Sequence, residues 1–247
     1  MPYLLNRHFF DRYLLWPLLL IGHLLAVSLL AWHLLAQVNF AYPLGYQWLD
    51  VHTHIQTFGP ENRYKDHFER TTKKEHYRLF GEITRAIQNG GQGLKDIHYT
   101  LPDGQLEPLL RPPEVVHLQD VANLVRDVYR LGLFGAMLLI LTLSYAYYRR
   151  CRLPPARKLL IGFTIAIAAL AALILLIGPV RVFYALHDYI FPDDNPWFFY
   201  YQDSLMTTLM KAPDLFGLIA VFLVALFAVL WGLSVWAIAV LLRRRAL

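Results

Sequence analysis

EVVHLQDVANLVRDVYRLGLFGAMLL, residues 114–139, changes character partway along. Its first half mixes charged and apolar side chains at helical spacing. Its second half carries no charge after Arg130. One helix that starts in water and ends in hydrocarbon accounts for both halves. Three other stretches repeat the second half. The blocks Tyr13–Ala36, Leu131–Tyr148, Leu159–Val180 and Leu215–Leu242 hold no Asp, Glu, Lys or Arg and run for 24, 18, 22 and 28 residues. A membrane span takes about 20 apolar residues at 1.5 Å each. Buried helices of a soluble core would need polar faces, and 159–180 and 215–242 have none. Composition agrees: 57% of the 247 residues are hydrophobic and 17% charged, where a soluble domain has about a quarter charged. The expected fold is membrane α-helical, with four transmembrane helices and a small mixed α/β extracytoplasmic cap between helices 1 and 2.

The net charge is +5, and its placement sets an orientation. The segment 149–158 holds five Lys/Arg and no acid, and the tail RRRAL holds three. Near the N-terminus Arg7 and Arg12 outweigh Asp11. The segments 37–130 and 181–214 together carry 13 basic and 17 acidic residues. Basic residues gather on the cytoplasmic side of spans. Both termini and 149–158 are therefore expected in the cytoplasm of a multi-pass protein of the inner, or cytoplasmic, membrane. The basic charge reads as a topological anchor, not as a nucleic-acid surface. The first block is too long for a signal-peptide core and lacks a small-residue cleavage site. The lone cysteine, Cys151, excludes an intrachain disulfide and any outward-facing thiol nucleophile.

The expected organisation is residues 1–36 as N-terminus and first helix, 37–130 as the cap, and 131–247 as helices 2–4 with an aromatic outer loop at 181–214. Within the cap, Phe68, Leu79, Phe80, Ile83 and Ile87 share helical spacing across 65–88. Thr71 or Thr72 suits its N-cap, with Glu75 following. NGGQG (89–93) ends that helix. The turn Pro102-Asp103-Gly104 suggests a hairpin over 97–110. Pro112-Pro113 then opens the helix that carries Val116, Val121, Leu124 and Val128 into the second span.

Chemistry gathers at the boundary between cap and membrane. His117 and Asp120 are three residues apart on one helix face, and His187 precedes Asp188 just past the third span. A carboxylate beside an imidazole holds one tautomer and raises its basicity. Lone interfacial histidines are more often amphipathic packing residues. Two at one depth, each beside an aspartate, tip the balance toward function. An enzyme nucleophile is harder to find. Of the four serines, Ser28, Ser144 and Ser234 lie within spans and Ser204 alone lies outside. No Gly-x-Ser-x-Gly elbow, His-Glu-x-x-His helix or phosphate-binding glycine loop is present. His52-x-His54, with His67 and His76, makes a weak metal site at best, so no metal is expected. His23 and His33, ten residues apart within span one, read as helix–helix hydrogen-bonding groups.

Two histidines without a nucleophile suit a substrate that supplies its own. HLQDV (117–121), FYALHDYIFP (183–192), NPW (195–197) and Asp203 resemble the lipoprotein intramolecular transacylase family, four-helix membrane proteins with an extracytoplasmic cap. The family pattern has Met where this chain has Leu118, Glu at Asp188 and Phe at Leu186. The resemblance implies a membrane acyltransferase acting on diacylated bacterial lipoproteins among membrane lipids. The sn-2 acyl chain of the diacylglyceryl group moves to the α-amino group of the same N-terminal cysteine. The implied catalytic residues are His117, His187, Asp120 and Asp188. The expected substrate-binding residues are Arg181, Tyr184, Tyr189, Trp197 and Asp203, with weaker grounds for Tyr46, Arg63 and Tyr64. No cofactor is implied, because replacing an ester by an amide runs downhill. The competing expectation is a lipid- or lipoprotein-binding membrane module without catalysis.

Overall fold

The computed structural model describes residues 14–151, 156–191 and 194–246. Arg7, Asp11, Arg12, residues 152–155 and Pro192 lie outside the described residues, as do the side chains of 243–247, so the charges there that set the expected orientation have no structural counterpart. Four helices are long and apolar enough to cross a membrane. They are α1 (Trp16–Gln37), α5 (Pro112–Tyr148), α6 (Ala156–Ile177) and α9 (Asp214–Ala246). Their apolar windows have mean hydropathies of 2.1, 1.6, 2.9 and 2.7. At 1.5 Å per residue the 37 residues of α5 reach about 55 Å, well beyond the hydrocarbon thickness of about 30 Å. Only its charge-free end, 131–148, is therefore needed to span. The first part, with His117, stands beyond it.

The chain divides into two compact units. One comprises Met1–Leu34, Val128–Leu176 and Leu223–Leu247, the other Leu35–Asp127 and Ile177–Phe222. In the first, α1 and α5 meet through small residues. A Cβ at Gly22 would lie 2.8 Å from the backbone nitrogen of Leu139, and one at Gly135 would lie 2.3 Å from Cβ of Leu25. Glycine lets two helix backbones approach this closely. His23 Nε2 pairs with Ser234 Oγ at 2.7 Å and its ring stacks on Trp231. His33 Nδ1 pairs with the Tyr129 hydroxyl at 3.0 Å.

The second unit has a core of its own around Tyr42, Ile55, Phe68, Leu79, Leu109, Leu205 and Leu209. Two short helices, α2 (Tyr42–Trp48) and α3 (Val51–Phe58), lie where no element was anticipated. Asp50 starts α3 by accepting from the Thr53 amide at 3.4 Å. The helix expected over 65–88 is α4, Lys73–Gln88, shorter at its start. Thr72 is its N-cap and accepts from the Glu75 amide at 3.2 Å, which fixes the first turn after a left-handed His67. The hairpin is present as β1 (His98–Thr100) and β2 (Leu106–Pro108), antiparallel, with Tyr99 opposite Glu107. Glu75 ties β1 to α4 by accepting from the Thr100 amide at 2.8 Å.

The stretch 181–214 is not the loop expected. Gly178, at φ +100°, ends the preceding helix, and Pro179 opens α7, Pro179–Ile190. The chain turns at 194–195, runs without helix or strand from 196 to 200, makes a 3-10 turn at Tyr201–Asp203, and enters α8 (Leu205–Met210). The second unit thus joins α7 and the segment after it to the start of α5.

Candidate active site

Both histidines singled out by sequence fall in the second unit. His117 sits on the second turn of α5 and is buried. His187 sits on the last turn of α7 and is half-buried. Their ring centroids are 6.3 Å apart, with the planes tilted by 36°. Aromatic rings enclose the pair. Phe191 lies 4.9 Å from His117 and 5.3 Å from His187. Phe183 lies 4.0 Å from His187, Trp197 lies 4.9 Å from it, and Phe199 lies 6.2 Å from His117.

The tautomer of His187 follows from its partner. Nδ1 lies 2.8 Å from the carbonyl oxygen of Phe183, one turn back on α7. A carbonyl only accepts, so Nδ1 carries the proton and donates. Nε2 then carries the lone pair of the ring. Burial pushes the His187 pKa down, while the Phe183 carbonyl and the Asp188 carboxylate pull it up. The ring is neutral at neutral pH and ready to accept a proton. Among the described residues, nothing hydrogen-bonds the ring nitrogens of His117.

Each aspartate acts on its histidine by charge, Asp120 favouring protonation of His117 and Asp188 that of His187, and among the described residues neither hydrogen-bonds the ring. Asp120 Oδ2 accepts from Asn195 Nδ2 at 2.7 Å. Asp188 is exposed, and the group that holds the His187 ring is the Phe183 carbonyl. Of the expected substrate-binding residues, Trp197 packs on His187 and Tyr184 packs on Trp197 at 5.8 Å. Asp203 pairs with Arg63 at 2.9 Å. Arg181 is exposed, and Tyr189 is 89% exposed. Tyr64 lies under the Arg111 guanidinium at 4.2 Å. Ser204, the one serine outside the spans, is buried, donates to Glu114 and caps α8 through the Thr207 amide. Its hydroxyl is engaged in structure. Sequence reading passed over Phe183, Phe191, Phe199 and Asn195 as individual site residues. Their density in 181–214 was the available signal.

The cap histidines do not share a coordination point. His54 packs edge-on to Tyr201 at 4.4 Å. His76 is held between the hydroxyls of Tyr46, at 2.8 Å from Nδ1, and Thr71, at 2.7 Å from Nε2. Thr71 Oγ1 donates to the Phe68 carbonyl, so Nε2 donates to Thr71 and Nδ1 accepts from Tyr46. Tyr46 therefore serves the cap core.

Fold and site define a four-span membrane protein with a histidine pair in an aromatic box. Residues 95–212 match the family model described as lipoprotein intramolecular transacylase Lit. The match contains both histidines and the whole box. A solved structure of the membrane integral lipoprotein intramolecular transacylase Lit from Bacillus cereus, carrying a histidine-to-arginine mutation, shares the fold. It has a TM-score of 0.60 at 15% identity over 97% of this chain and 96% of that one. No curated protein matches the chain by sequence.

Proposed function

We propose that this protein moves the sn-2 acyl chain of a bacterial lipoprotein's diacylglyceryl group onto the α-amino group of that lipoprotein's own N-terminal cysteine. The observation that carries the reading is the paired imidazoles, 6.3 Å apart within aromatic walls. Amine nitrogen, Cα, Cβ, sulfur, two glyceryl carbons, ester oxygen and acyl carbon close an eight-membered ring in the transition state. A free lipopeptide rarely visits that closed shape. A confining apolar box supplies the order beforehand.

His187 is the base. Its Nδ1–H is held by Phe183, which makes Nε2 the more basic nitrogen of the pair. Nε2 takes the proton of the attacking amine, whose ammonium form titrates at about 7.7–8.0 in free peptides. The N–C bond forms as the C–O bond to the glyceryl carbon breaks. His117, without a carbonyl to raise its basicity, is the better acid and protonates the departing oxygen. Nitrogen loses one proton to His187 and oxygen gains one from His117, and a proton passing from His187 back to His117 restores the pair. Such acid–base help contributes about 10²–10⁴-fold. The reaction calls for neither ATP nor a cofactor. The site works at the outer face of the cell membrane, with the cap outside and both termini in the cytoplasm, as the charge distribution indicates.

The test is tandem mass spectrometry of a synthetic diacylated lipopeptide incubated with the purified protein. Transfer within one molecule leaves the total mass unchanged and moves one acyl chain to the N-terminal amine. A product lighter by one acyl chain, or unchanged fragments after long incubation, refutes the proposal.

A further inference from the structure

The segment 194–200 alternates in burial. Asn195, Trp197 and Phe199 are half-buried, while Asp194, Pro196, Phe198 and Tyr200 are exposed. A period of two is that of an extended chain with one face inward. Each inward residue meets a specific partner. Asn195 donates to Asp120, Trp197 packs on His187, and Phe199 packs near His117. At the far end Ser204 donates to Glu114, a fully buried carboxylate one turn before His117. On α5 the anchors Glu114 and Asp120 lie three residues either side of His117, so all three share a face. A strap is therefore pinned on both sides of the histidine.

We infer that Asn195 and Asp120 form a clasp that positions the strap's rings over both histidines, and that Asp120 acts by holding Asn195 and not by a hydrogen bond to the imidazole. This rests on the histidine-pair reading of the site. Both are positioning residues. A carboxylate that oriented the imidazole directly would be needed at position 120 itself. A clasp needs only a donor and an acceptor, in either order.

That difference supplies the experiment. N195D sets two carboxylates against each other across a 2.7 Å contact. D120N/N195D exchanges donor and acceptor and restores the hydrogen bond, with the charge moved to the strap. Two readouts are taken on the full-length protein in detergent: conversion of a diacylated lipopeptide, and hydrogen exchange of the peptide 194–204. N195D is expected to speed exchange across 194–204 and to lower kcat about 10- to 100-fold, the cost of a misplaced site. D120N/N195D is expected to return both toward the parent. Unchanged exchange in N195D overturns the clasp. Exchange restored by the double variant without recovered activity shows that the charge is needed at position 120, and also overturns it. Should H117A and H187A prove fully active while the exchange pattern behaves as expected, the histidine reading fails and the clasp stands as structure alone.

Discussion

At the scale of single residues, hydrogen-bond arithmetic assigns protons. His187 gives its Nδ1 proton to Phe183 and so keeps Nε2 for chemistry. His76 spends both nitrogens on Tyr46 and Thr71 inside the cap. Burial pushes His76 down to about 4, helped by His52 and opposed by Glu75. An unfolded chain would bind that proton near 6.5. The unfolded state thus holds more protons between those values, so the contribution is complete above about 6.5 and is lost as pH falls toward 4. The cap is expected to lose about 1–2 kcal/mol between pH 6.5 and 5 through this one group. Thermal melts followed by circular dichroism measure it, and H76Q should flatten the slope. A parent slope that H76Q leaves intact would contradict the assignment. Both site histidines were legible in the sequence because their positions beside the spans stood out. The partner of Asp120 was not, because Asn195 is 75 residues away in the chain. Spacing along one helix shows which face a side chain shares, and nothing of what folds onto that face.

At the scale of elements, charge-free length identified all four spans, and turn chemistry identified the hairpin and the cap of α4. The segment 181–214 misled because its aromatics follow helical spacing in α7 and a period of two from 194 to 200. The change falls at Phe191, whose backbone is extended. Glycine placement has its own consequence in the membrane. Gly22 faces α5 backbone, where an added Cβ meets Leu139 nitrogen at 2.8 Å and Gly135 oxygen at 2.9 Å. Backbone cannot swing aside as a side-chain tip does. Gly22→Leu is expected to cost about 1–3 kcal/mol, as overpacking does, seen as a lower aggregation temperature in detergent. Gly162 faces open space, so Gly162→Leu should leave that temperature unchanged.

At the scale of the whole molecule, the family match covers residues 95–212 and thus the box and the whole of α5 and α6. The first span, most of the cap and the last span lie outside it, and the shared fold extends over them. The proposed orientation places the β1–β2 turn outside the cell. A cysteine introduced at Gln105 in a Cys151→Ser background should react with a membrane-impermeant maleimide in right-side-out vesicles and be protected in inverted ones. The opposite pattern would reverse the topology. The central claim, that two imidazoles move the protons of an acyl transfer, is tested most directly by replacing each ring in the full-length protein. H117A and H187A, inserted in membranes at parental levels, are incubated with a diacylated lipoprotein, and its N-terminus is sequenced by mass spectrometry. The account predicts a free amine and both ester-linked chains in each variant, with the parent giving the N-acylated, monoacylglyceryl form. An N-acylated product at the parental rate from either variant would contradict it.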